Sequence, residues 1–128
     1  MGKVKPTLNM DLGRHARKAA AIMQERGHAT GALETHDGRV CLLGAMYRAT
    51  SPIENRQRHH LVEEFSSRFG EWMREHHPAS ADTVLVEHLS NAYGNSGTAP
   101  AWNDLVLKTE EETLAWLNKF ADAMDPQR

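Results

Sequence analysis

The chain has 128 residues, 40% of them hydrophobic and 25% charged, which fits one globular domain and excludes a disordered chain. A formal net charge of −2 argues against a dedicated nucleic-acid binder, whose affinity rests on a basic footprint. The single cysteine, Cys41, excludes an intrachain disulfide and suits a reducing, cytoplasmic setting. No apolar run approaches the roughly twenty residues that span a bilayer, so no membrane partner is expected. The lysines of the first residues have no apolar run behind them, as a secretory signal would need.

Residues 1–9 are expected to form a flexible N-terminus. Leu12, Ala16, Ala19, Ala20 and Met23 share one stripe at helical spacing and predict a first helix over about 11–26. Gly27 suits the left-handed position beyond its end. The Asp37-Gly38 pair is a tight-turn signal, and 32–35 with 39–40 are expected as two very short strands. Residues 41–50 read as a short buried helix, because Cys-Leu-Leu-Gly-Ala-Met-Tyr is apolar on nearly every side, and Ser51-Pro52 stops it. A long helix over 55–76 follows, with Leu61, Val62, Phe65, Phe69, Trp72 and Met73 inward and Gly70 on the solvent side.

Ser80 is the expected cap of a fourth helix over about 81–93, and 94–101, rich in turn formers, is expected to be a mobile loop. Thr109-Glu-Glu-Glu112 is a capping box that opens the last helix. Its apolar set, Leu114, Trp116, Leu117, Phe120, Ala121 and Met124, covers nearly half the circumference. Either this helix is wedged between two elements, or part of it, around Trp116 and Phe120, serves a partner chain. A homo-oligomer is one form that such pairing could take. The expected fold is a mainly α, compact five-helix bundle with a small β-hairpin between helices 1 and 2, forming one domain over 1–128. The short helix after Cys41 would lie at its centre, wrapped by the third and last helices.

Few residues promise chemistry. Cys41 follows a strand and opens a helix, where the dipole favours a nucleophilic thiolate. Equally, Cys41, Ala45 and Ala49 make a strip of small side chains, and a buried free cysteine packs as a small hydrophobe. His76 and His88 project onto the apolar faces of their helices and are the candidate bases. The Trp102-Asn103-Asp104 triplet offers either a core plug with local turn bonds or a polar binding site. His59-His60 and His76-His77 cannot share an ion, since the pairs lie about 25 Å apart on one helix. No metal site is expected, and no motif for a cofactor is present. Arg14, Arg17 and Lys18 lie on one side of the first helix, as a solvated face or as a surface for an anionic partner such as nucleic acid.

Gly38-Arg-Val-Cys41-Leu-Leu-Gly44-Ala45, followed about sixty residues on by Trp102-Asn-Asp104 and then the Thr-Glu-Glu-Glu helix start, resembles a family of small uncharacterised proteins of actinobacteria and their phages. The resemblance runs from the first helix to the last. Members often carry an aromatic after the glycine that ends the first helix, where this chain has His28. What the resemblance implies is a phage or mobile-element accessory protein. With no assembled catalytic set, near-neutral charge and surplus apolar surface on the last helix, the leading expectation is a non-enzymatic protein that engages a protein partner. The alternative is a small cysteine-dependent hydrolase or transferase, with Cys41 as nucleophile, His88 or His76 as base and Asn103 or Asp104 as orienter. Nucleic-acid binding ranks below both.

Overall fold

The computed structural model describes residues 4–50, 55–91 and 98–125. Among these, six α-helices and one 3-10 helix follow in chain order, and no strand forms. They are α1 (Val4–Arg26), α2 (Leu42–Ala49), α3 (Asn55–His76), the 3-10 helix Pro78–Ala81, α4 (Thr83–Asn91), α5 (Ala99–Leu105) and α6 (Glu110–Met124). The mainly helical class holds, but the five-helix count and the β-hairpin do not. None of the described helices is long and apolar enough to cross a membrane. Ser51-Pro52, Tyr93 and 94–97 lie outside the described residues, while 99–101 form the first turn of α5.

α1 starts earlier than its apolar stripe, because Pro6 falls in the first turn, where its missing N–H costs nothing. Leu12, Ala16, Ala19, Ala20 and Met23 are buried as expected, and Gly27 closes the helix at φ +95° with its amide on the Met23 carbonyl at 2.7 Å. The opposite partner is α6, and the α1–α6 contact is the most extensive in the fold. Gly13 makes that closeness possible. A Cβ there would overlap the Asp125 Cβ and stand 3.1 Å from the Ala121 carbonyl oxygen. Arg17 then seals the end of α6, donating to the Asp125 carboxylate at 3.0 Å and to the Asp125 carbonyl at 2.6 Å. A cation suits that helix terminus, whose last carbonyls carry partial negative charge.

Between α1 and α2 the chain makes single bridges instead of a hairpin. The turn itself is present: the Gly38 amide donates to the Thr35 carbonyl at 3.0 Å, with Gly38 at φ +91°. Val40, however, is shared between two neighbours. It bridges His28 in parallel and Glu34 in antiparallel sense. One residue bonded on both sides cannot extend a two-stranded ladder, and so short a hairpin is marginal without support. Support comes from α2: a Cβ on Gly44 would overlap the Leu33 carbonyl oxygen, so the loop backbone rests directly on that helix.

α2 buries Leu42, Ala45, Met46 and Ala49 but leaves Leu43 and Tyr47 half-exposed and Arg48 exposed, so one of its sides is open. It packs on α1, α3 and α5, while the last helix lies chiefly against α1. The expected wrapping of α2 by the third and last helices is therefore met by α3 alone. α3 matches its expected span and buries Val62, Phe65, Phe69 and Met73. Gly70 is buried too, contrary to its expected place in solvent. Asp82, not Ser80, caps α4, accepting from the Val84 and Leu85 amides at 3.1 Å; the Ser80 hydroxyl instead donates back to the Met73 carbonyl. α5 was expected as loop. Its signal in the sequence is Pro100 in the first turn, the position proline favours.

Thr109 caps the start of α6, its hydroxyl accepting from the Glu112 amide at 3.2 Å. It is wedged between α1 and α3, which accounts for its broad apolar stripe. The Phe120 ring meets Phe69 edge-on at 5.4 Å, Trp72 at 5.8 Å and Phe65 at 6.0 Å.

Candidate functional site

Asn103 is the joint between the 28–41 loop, α2 and α5. Its Oδ1 accepts from the Leu42 amide at 3.0 Å and from the His28 Nε2 at 2.8 Å. Its Nδ2 donates to the Ala29 carbonyl at 3.0 Å and to the Asp104 carboxylate at 2.7 Å. All four bonding directions of the amide are used, and the residue is fully buried. Because Oδ1 can only accept, the His28 Nε2 carries the proton. Asp104 extends the joint by accepting from the Gly31 amide at 3.0 Å. Thr113, on α6, places its hydroxyl 3.3 Å from the same His28 nitrogen and donates to the Leu107 carbonyl.

The triplet is thus drawn inward. Trp102 is 0% exposed, and its ring lies 5.4 Å from that of His77. Phe120 is also fully buried, and neither side chain has area to offer a partner. Trp116 is half-buried, 4.6 Å from the His77 ring, with the Lys119 ammonium 4.2 Å from the centre of its own ring.

Cys41 is the N-cap of α2, and its Sγ accepts from the Gly44 amide at 3.4 Å. Burial pushes the thiol pKa up, and the nearby Asp104 charge adds to this, outweighing the lowering by the Gly44 and Leu43 amides. The recess beside it, about 170 Å³, is lined by Gly31, Leu33, Leu43, Pro100 and Asp104 among others and by no histidine. His76 is exposed, stacks on Trp72 at 4.4 Å and donates from Nδ1 to the Trp72 carbonyl at 2.8 Å. His88 is exposed on α4. The structure does not bring either proposed base into the cysteine recess. Native Cys41 is expected to react with a small thiol reagent at least about a hundredfold more slowly than in the unfolded chain, through burial and low thiolate content. Equal rates, measured by reagent absorbance, would show an accessible nucleophile.

Arg14, Arg17 and Lys18 do not form an unoccupied basic row. Arg14 pairs with Asp11, and Arg17 turns toward the end of α6. Among the described residues no group of three or more potential ligands gathers as a metal site would require.

The open side of α2 is different. Three depressions meet there. One, of about 570 Å³, lies between α2, α3 and the start of α5 and includes Leu43, Tyr47, His59, Glu63 and Pro100. A second, of about 540 Å³, includes Leu33, Glu34, Tyr47, Arg48 and Arg58. The cysteine recess joins them through Leu33, Leu43 and Pro100. At the junction Leu33 is 51% exposed, one of two large hydrophobic residues so placed among the described residues. The Tyr47 hydroxyl bonds the His59 Nδ1 at 2.9 Å, and the Arg58 guanidinium stands 5.9 Å from the Tyr47 ring centre. Sequence reading passed over Leu33, Leu43 and Tyr47. The available signal was an isolated leucine in a polar loop.

His77 supplies a pH response. Its Nδ1 accepts from the Ala79 amide at 3.0 Å as the cap of the 3-10 helix, a bond that a protonated ring loses. Burial lowers its pKa, with Glu112 opposing and Lys119 assisting; burial, followed by Arg14, likewise lowers that of His15. The unfolded chain then binds more protons than the folded one, so stability falls as pH drops through the ordinary imidazole value of 6.5 toward the lowered folded values. His77→Asn keeps a capping acceptor and should show a shallower decline in melting temperature between about pH 7.5 and 5 than the unsubstituted protein. Parallel profiles would remove His77 from this response.

No curated protein and no solved structure matches the chain. A family model does, over residues 9–123, nearly the whole described fold. The chain belongs to that family, the family of unknown function DUF6197.

Proposed function

We propose that this is a non-enzymatic accessory protein of the cytoplasm that engages a protein partner through the open side of α2. The observation that carries the reading is Leu33, half exposed where three connected depressions meet, on a loop held rigid by Asn103 and by the α2 backbone. An apolar side chain amid aromatic and arginine groups has the composition of an interface centre. A fixed backbone also lowers the ordering cost of binding. The phage or mobile-element setting implied by the sequence resemblance makes a host or phage protein the partner.

The test is capture from phage-infected actinobacterial lysate by immobilised protein, compared with Leu33→Ser and with Val84→Ser as a control. Val84 is 76% exposed on α4. A protein retained by the unsubstituted chain and the Val84 variant but lost with the Leu33 variant supports the reading. Equal retention by all three would overturn it.

A further inference from the structure

The depression between α1, α2 and α3 is electrically unbalanced. Among the described residues, Arg26, Arg48 and Arg58 line it against Glu25 and Glu34. One oxygen of Glu34 serves two of the arginines, at 3.4 Å from Arg26 and 2.5 Å from Arg48. Arg58 has no carboxylate partner among the described residues: its guanidinium contacts the Tyr47 ring, and its enclosed Nε lacks a hydrogen-bond acceptor. A guanidinium is weakly hydrated and carries planar paired donors, so an incoming carboxylate meets little desolvation cost and can bond two N–H groups at once. Leu33 lines the same depression and stands half exposed.

We propose that this depression receives an acidic segment of the partner, with a carboxylate on Arg58 and Arg48 and a neighbouring apolar side chain on Leu33. The inference rests on the binding-face reading and adds the partner's chemistry to it. Charge complementarity selects an acidic peptide, and the adjoining leucine selects one that alternates acidic and apolar residues. Glu34 acts here as an internal competitor, holding Arg26 and Arg48 until the partner's carboxylate arrives.

The probes are a capped glutamate–leucine peptide, a lysine–leucine peptide of equal length and inorganic phosphate, each titrated into isotope-labelled protein and followed by amide shifts. The acidic peptide should move the Leu33, Gly44, Tyr47 and Arg48 amides. Arg58→Gln should weaken it about fivefold or more, as loss of one enclosed charge contact predicts. Glu34→Gln should tighten it by removing the competitor, an effect that mere loss of structure would not produce. Arg74→Gln, exposed about 24 Å further along α3, should leave it unchanged. Raising salt from about 20 to about 200 mM should weaken it further.

Absence of acidic-peptide binding, equal binding of the basic peptide, or indifference to Arg58→Gln overturns the proposal. Phosphate binding at the same amides as tightly as the peptide would make this a small-anion site and overturn the peptide assignment. Capture that depends on Leu33 without any peptide binding would remove the acidic subsite and keep the binding face. Capture indifferent to Leu33, with peptide binding intact, would do the reverse.

Discussion

Asn103→Ala should lower the unfolding free energy by about 3 kcal/mol, because each buried polar group left without a partner costs about 1–3 kcal/mol. The substitution strands the Leu42 amide at the start of α2 and the Ala29 carbonyl, and leaves the His28 N–H only the longer 3.3 Å contact with the Thr113 hydroxyl. Partial relaxation toward solvent keeps the total below the simple sum. Asn103→Asp should rescue little, since a carboxylate cannot donate to Ala29 and would face the Asp104 carboxylate across a distance now bridged by an N–H. The check is urea unfolding of the three proteins. A lower midpoint at constant slope is expected. A loss below about 1 kcal/mol would mean that the loop and α2 do not depend on this joint. Given typical total stabilities of about 5–15 kcal/mol, the predicted loss would leave the fold intact but marginal.

Phe120→Ala should cost more, about 3–5 kcal/mol, through lost burial plus the cavity that α1 and α3 cannot collapse to fill. Three aromatic rings contact Phe120 from α3, and Gly13 already allows α1 and α6 their closest approach, so little further closure is available. The melting temperature should fall by roughly 10–20 °C in the isolated protein. Trp116→Ala should cost distinctly less, because its ring is only half-buried. Differential scanning calorimetry of both variants decides the matter. Equal, small losses would indicate that the outer stripe of α6 is not part of the core.

Much of the architecture was legible because apolar periodicity reports burial directly. The stripes on α1 and α3 predicted the buried sets of both helices, and the Thr109 capping box marked the start of α6 to the residue. The hairpin failed for a reason that local sequence does not encode: Val40 is claimed by Gly27 and Ala29 on one side and by Leu33 and Thr35 through its neighbours on the other. α5 failed because its helical turn is short and its turn-forming approach reads as loop.

The candidate site shows the same division. Trp102, Asn103 and Asp104 stand out in the sequence, yet their inward direction depends on His28, Ala29, Gly31 and Leu42, distant in the chain. Sequence by itself determined the helical class, the identity of the core stripes and the ends marked by Gly27 and Thr109, because these rest on spacing and on bonds within a few residues. Tertiary structure alone decided that Asn103 is a joint, that Phe120 is enclosed and that Leu33 stands exposed. Hydrogen bonding and burial across distant segments are properties of packing, and packing is settled only when every neighbour is in place.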